Sequence, residues 1–361
     1  MFYKKDITNL ILLSFFALLS ASIIFVNTIF CFILTNDQQI SMTGISTLNN
    51  NLSQKTVLLG GDTVGFEYYS RGVLVLGKNK LYTKDSFVDN VLDNQLMQGD
   101  IIVMVNEQEV NTPDDISYIL NNQPQNQFVN IKAIRKGKEY DTTIRSAYDL
   151  LTKKYKLGLW VKNKINGLGT LTYIDPTTQK FGALGHGVLD ANTGVALNVK
   201  EGEIYECNVL GIKRGVRGNA GELRGLLKTG TQLGILEQNI DCGIYGSITN
   251  DEFIKNHLPV VVGGKNTIVP GKALIYCSLD GKNIRAYDIE IIKTNRQNVG
   301  NKDIVLKIID ERLLKAAGGI VQGMSGSPIV QNGKLVGAVT HVFINDSSKG
   351  FGIFIDNMLT N

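Results

Sequence analysis

The sequence predicts a mainly β protein: one N-terminal apolar helix, a small α+β domain, and then a larger all-β domain. Three observations carry this reading. Residues 10–34 contain no charge; residues 56–147 alternate strand-like runs with one well-capped helix; and from Leu157 onward short β-like runs recur between turns to the end of the chain. With 361 residues, the chain is long enough for two domains with cores of their own.

At the start, Lys4 and Lys5 precede the uncharged run, which is long enough to cross a bilayer and longer than the apolar core of a cleaved signal peptide. Residues 1–35 therefore read as a cytoplasmic stub and a signal-anchor transmembrane helix. No Lys or Arg occurs between Asp6 and Gln54, so a membrane-anchored, extracytoplasmic protein is expected. Cleavage near residues 20–22 is the alternative. Residues 36–55, rich in Asn, Gln, Ser and Thr, form a polar linker.

Residues 56–148 make the small domain. Thr112-Pro113-Asp114-Asp115 supplies a cap residue, a proline at the first helical position and acid in the first turn, with Ile116, Ile119 and Leu120 on one face. Two strands follow around Lys136-Gly137-Lys138. Residues 149–361 make the second domain, whose many short strands suggest a sandwich or paired barrels.

Composition excludes several classes. Net charge is +4 and there is no basic stripe interleaved with aromatics, so no nucleic-acid partner is expected; Lys213, Arg214, Arg217 and Arg224 read as a solvated loop. The four cysteines, Cys31, Cys207, Cys242 and Cys277, form no Cys-x-x-Cys and have no nearby histidine, so neither a metal nor a cofactor is expected, and at most one disulfide.

The chemistry concentrates at Gly323-Met324-Ser325-Gly326-Ser327-Pro328. A serine between small residues can sit on a sharp turn with its hydroxyl exposed, and the N–H groups of Gly323 and Ser325 can converge as an oxyanion hole. After Pro328 the chain reads as a hairpin turning at Asn332-Gly333. Only three histidines could serve as base. His186, flanked by Gly185 and Gly187, suits a reachable strand end, His257 reads as a surface residue, and His341 is the rival. Thr340 and His341 alternate across a strand, so only one side chain can face the serine. The group orienting the imidazole is open among Asp190, Asp241, Asp288 and Asp310.

The serine turn and hairpin resemble those of trypsin-class two-barrel peptidases. The order Leu96…Gly99-Asp100-Ile101…Asn106 followed by a helix resembles a PDZ domain, which would bind an extended peptide near residues 72–76. Taken with Phe181-Gly182-Ala183-Leu184-Gly185-His186, with Gly318-Gly319-Ile320-Val321-Gln322 before the serine turn, and with Val336-Gly337-Ala338-Val339-Thr340-His341, the chain resembles the stage IV sporulation protein B (SpoIVB-type) serine peptidases of endospore-forming bacteria. The resemblance implies a trypsin-like double β-barrel preceded by a PDZ-like domain, with Ser325 as nucleophile, His186 as base, and importance for Asp310 and Thr340. Asp310 lies closer to the serine than the orienting acid of trypsin-like enzymes does, and holding the serine loop is the other role open to it. The resemblance further implies a sporulation signalling protease between the forespore and mother-cell membranes. Its substrate would be the extracytoplasmic part of a membrane-bound inhibitor of an intramembrane protease, whose release activates a mother-cell sigma factor; self-cleavage and control by a PDZ peptide ligand are implied as well. A catalytically idle, membrane-anchored PDZ scaffold is the competing reading. Gly319, six residues before Ser325, gives no charge preference for cleavage.

Overall fold

The computed structural model describes residues 55–84, 87–88, 95–122, 128–297 and 300–360. Two rings of antiparallel strands dominate it. In the first barrel, Thr63–Lys78 pairs with Leu159–Ile174, which continues through Lys180–Ala183, Gly243–Ile248, Gly221–Ile240 and Val199–Lys213 back to Thr63–Lys78. Six strands thus close with no free edge. Val64, Phe66, Ile165, Phe181, Ile204 and Ile244 fill its interior.

The second barrel closes the same way through Gly271–Ser278, Ile284–Thr294, Ile304–Ile308, Asp346–Phe354, Lys334–Phe343 and Pro328–Gln331. Ile275, Ile289, Leu306, Ile329 and Phe354 are among the residues of its core. The turn joining Pro328–Gln331 to Lys334–Phe343 holds Asn332 and Gly333 at φ 52° and 74°, the left-handed pair a two-residue hairpin needs. Paired barrels, rather than a sandwich, are the outcome.

The small module hangs from the first barrel. The far half of Thr63–Lys78 pairs with Ile101–Val105, and Phe128–Arg135 and Lys138–Arg145 extend the sheet. Helix Pro113–Asn122 covers one face with Ile116 and Ile119. Its start is a reciprocal box: Thr112 Oγ1 accepts from Asp115 N at 3.1 Å, and Asp115 Oδ2 accepts from Thr112 N at 2.8 Å. The peptide edge expected at residues 72–76 is already filled on both sides, since Leu74 faces Ile101 on one side and Lys162 on the other.

One further expectation changes. His257 is buried, its Nε2 2.7 Å from Asp62 Oδ2 and its Nδ1 2.8 Å from the Phe253 carbonyl, because the short helix Asp251–Lys255 folds it inward. Cys207, Cys242 and Cys277 are free thiols. Membrane anchoring is also corrected: among the described residues no helix is long and apolar enough to cross a membrane, and the anchor expected at residues 10–34 and most of the linker lie outside the described residues.

Candidate active site

A cleft of about 1110 Å³ between the barrels is lined by Phe66, Leu184 and His186 from the first and by Ser325, Thr340 and His341 from the second. Each side is delivered by a specific piece of backbone.

On the serine side, Asp310 caps the helix Glu311–Ala317 and Gly318 ends it in the left-handed conformation, φ 77°. Val321–Gln322 then pairs in parallel with Gly221 and Glu222, so a strand of the first barrel steadies the approach to the serine turn. Gly326 follows Ser325 at φ 96°, and a Cβ there would lie 2.0 Å from the Thr170 carbonyl oxygen and 2.5 Å from Leu184 N. Only glycine allows that approach, and the approach seats the serine turn against the histidine loop.

On the histidine side, Lys180–Ala183 ends in two left-handed residues, Leu184 and Gly185 at φ 67° and 69°, which turn His186 into the cleft. His186 Nδ1 is 2.8 Å from the Gly187 carbonyl. A carbonyl only accepts, so Nδ1 carries the proton and Nε2 keeps its lone pair. Burial lowers the His186 pKa below its ordinary value, the Gly187 carbonyl working the other way.

His341 packs beside it, ring centroids 4.9 Å apart. Burial, reinforced by His186 and Lys302, brings His341 down to about 4, and its buried Nδ1 has no hydrogen-bond partner among the described residues. Thr340 turns its side chain the other way, Oγ1 donating to the Asn301 carbonyl at 2.7 Å.

Ser325 Oγ donates to the Thr340 carbonyl at 2.8 Å, and no hydrogen bond joins it to His186. The Gly323 and Ser325 N–H groups have no partner among the described residues, while Met324 N, between them, donates to Val321 O at 3.1 Å. Two unpaired donors therefore flank the serine.

Of the four aspartates, Asp241 alone lines the cleft. Its carbonyl accepts from Gly187 N at 3.3 Å and from Asn301 Nδ2 at 3.2 Å. Asp190 is buried against Lys162 and Thr193. Asp310 is buried outside the cleft, its carboxylate taking Arg312 Nη2 at 2.7 Å, Arg312 N at 2.8 Å and Asp288 N at 3.2 Å. Arg312, with these N–H groups, holds its pKa down at about 2. Asp288 is an exposed residue whose N–H serves Asp310.

Sequence reasoning passed over Thr170. Its Oγ1 donates to Gly323 O at 2.8 Å and its N to Ser325 O at 2.8 Å, clasping the serine turn. Nothing around Thr170 in the chain marks it, because its partners lie more than 150 positions away.

A hydroxyl and a half-buried neutral imidazole on opposite walls of a cleft between two barrels, with spare N–H donors beside the hydroxyl, are the furniture of a serine hydrolase. The model of the SpoIVB peptidase S55 family matches residues 153–359, more than half of the chain, and the chain belongs to that family. It is a serine peptidase. No curated protein sequence matches it. Among solved structures, the Rv3671c protease of M. tuberculosis in its active form is similar at 14% identity over 54% of this chain and 72% of that one, TM-score 0.31. The inactive form gives 15% identity over 54% and 81%, TM-score 0.29.

Proposed function

We propose that Ser325 is the nucleophile and His186 the general base of an acyl-enzyme endopeptidase, with the N–H groups of Gly323 and Ser325 holding the oxyanion. The observation that carries this is the pair of unpartnered N–H groups flanking a serine that shares its cleft with a neutral, Nδ1-protonated His186. Beyond Val339, the strand Lys334–Phe343 has no strand partner on its cleft side among the described residues, so an extended substrate can pair there.

A substrate N–H reaching the Thr340 carbonyl competes with Ser325 Oγ for that acceptor and frees the hydroxyl to turn toward His186 Nε2. The serine proton passes to Nε2, Oγ attacks the scissile carbonyl, and the imidazolium returns the proton to the leaving amine; water repeats the sequence on the acyl-enzyme. Asp310 acts through the helix it caps, and Asp241 is the one of the four aspartates that lines the cleft. Thr340 supports the site through its carbonyl and its bond to Asn301.

Family membership supports a role in sporulation signalling, in which the enzyme cuts a protein that holds an intramembrane protease inactive. For the small module we place a peptide ligand in the groove of about 270 Å³ between Ile116 and Leu120 of its helix and residues Leu157, Leu159 and Trp160. The test is direct. Ser325→Ala should abolish both peptide hydrolysis and labelling by a fluorophosphonate, with an unchanged circular dichroism spectrum; hydrolysis surviving in that variant overturns the assignment.

A further inference from the structure

Beside the two oxyanion donors, the cleft wall is mostly apolar and uncharged, with Gln322 its polar member. Val321 comes from the strand leading into the serine turn, Val342 and Ile344 from the free-edged strand and its turn, and Leu168 from the first barrel. Val321 is buried, Val342 half-buried, and Ile344 is 66% exposed, open to whatever enters. Among the described residues no Lys, Arg or Glu lines the cleft. Its one acidic residue, Asp241, joins the histidine side through its backbone carbonyl, which accepts from Gly187 N and Asn301 Nδ2.

We infer that the enzyme cleaves after an apolar residue, the side chain on the acyl side of the scissile bond seating against Val321, Val342 and Ile344. The inference rests on the serine-nucleophile reading, which fixes the direction. With the scissile oxygen on the Gly323 and Ser325 N–H groups, the residue that owns that carbonyl lies between the segments ending in Val321 and beginning at Val342. A charged side chain there would lose its water and meet no opposite charge, only the neutral Gln322, whereas an aliphatic one replaces water against Val321, Val342 and Ile344. Each well-seated methylene is worth roughly 10- to 200-fold in kcat/KM, so charged residues should fall behind by at least about 100-fold.

The test uses the full chain and internally quenched peptides that differ only at the residue before the cleaved bond: Leu, Val, Phe, Lys or Glu. Fluorophosphonate labelling that vanishes in Ser325→Ala is measured first, so that a dead enzyme is told apart from a selective one. With labelling present, the expected result is Leu, Val or Phe exceeding Lys and Glu by at least about 100-fold in kcat/KM. Val342→Asp should then bring Lys above Leu. A flat profile, a preference for Lys or Glu, or a Val342→Asp profile identical to wild type overturns the inference. Absence of labelling in the wild type removes the serine reading and the inference together.

Discussion

Asp310 offers the sharpest separation of a catalytic from a positioning role. Replacing it by Ala removes the cap of the helix Glu311–Ala317 and leaves Asp288 N without its acceptor. The lost cap costs about 1 kcal/mol and the orphaned N–H about as much again. The pair with Arg312, whose side chain is 66% exposed, adds little. A loss of about 2 kcal/mol lowers Tm by roughly 3 °C in a protein of this size. Asp310→Asn keeps a capping oxygen but loses the charge, so it should melt between wild type and the Ala variant. The Asp310 pKa is about 2 in the fold against an ordinary 3.8, so its contribution is whole above about pH 4 and fades as pH falls toward 2. Melting curves at pH 7 and pH 3, paired with kcat/KM at 20 °C, measure both properties. At 20 °C the Asn variant should keep activity within about threefold of wild type. If it melts in that range yet loses more than about 100-fold in kcat with a shifted pH profile, Asp310 acts on the imidazole itself and the helix-cap account is wrong.

Further outcomes follow from the same geometry. His186→Ala should abolish hydrolysis while His341→Ala retains it; the reverse pattern makes His341 the base. Because burial lowers the His186 pKa, its neutral form persists below pH 6.5, and the acid limb of kcat/KM should have its midpoint under that value; a midpoint above it contradicts the burial seen here. Gly326→Ala should lose activity and more than about 2 kcal/mol of stability, since its Cβ meets Thr170 O at a left-handed φ; a variant with wild-type Tm and rate refutes the close approach. Trp160 is the single tryptophan of the chain and lines the groove of the small module, so an apolar peptide seated there should shift its emission to the blue. Saturable binding with unchanged emission would put the ligand elsewhere.

Local features of the fold were legible because local chemistry sets them. The Thr112 box, the Asn332-Gly333 turn and the Lys136-Gly137 turn each need particular residues within four positions. Barrel closure was not, since pairs such as Phe66 with Ile204 depend on no neighbour in the chain. Strands Val199–Lys213 and Gly221–Ile240 escape a period-two reading because their register slips at three places and most of their outer halves face water. At the site, the motif supplies Ser325, Gly323 and Gly326, and the cleft brings His186, Thr340 and His341 to them. Asp310 lies elsewhere, and the sequence holds the reason: an aspartate, seven residues suited to a helix, then Gly318 is a helix signature, which a search for acids near the serine overlooks.

The strands Thr63–Lys78 and Leu159–Ile174 belong to the barrel at one end and to the small module at the other, and their ladder skips register between Leu74–Lys162 and Tyr69–Lys164. That skip is a seam. Ser70 Oγ reaches across it to Asn163 O at 3.2 Å, so a short splice from Ser70 to Asn163 would excise the module and leave an ordinary hairpin in a closed barrel. The module is thus built as an overgrown turn, and the ribbon carrying it ends, at Thr170, in the clasp on the serine turn.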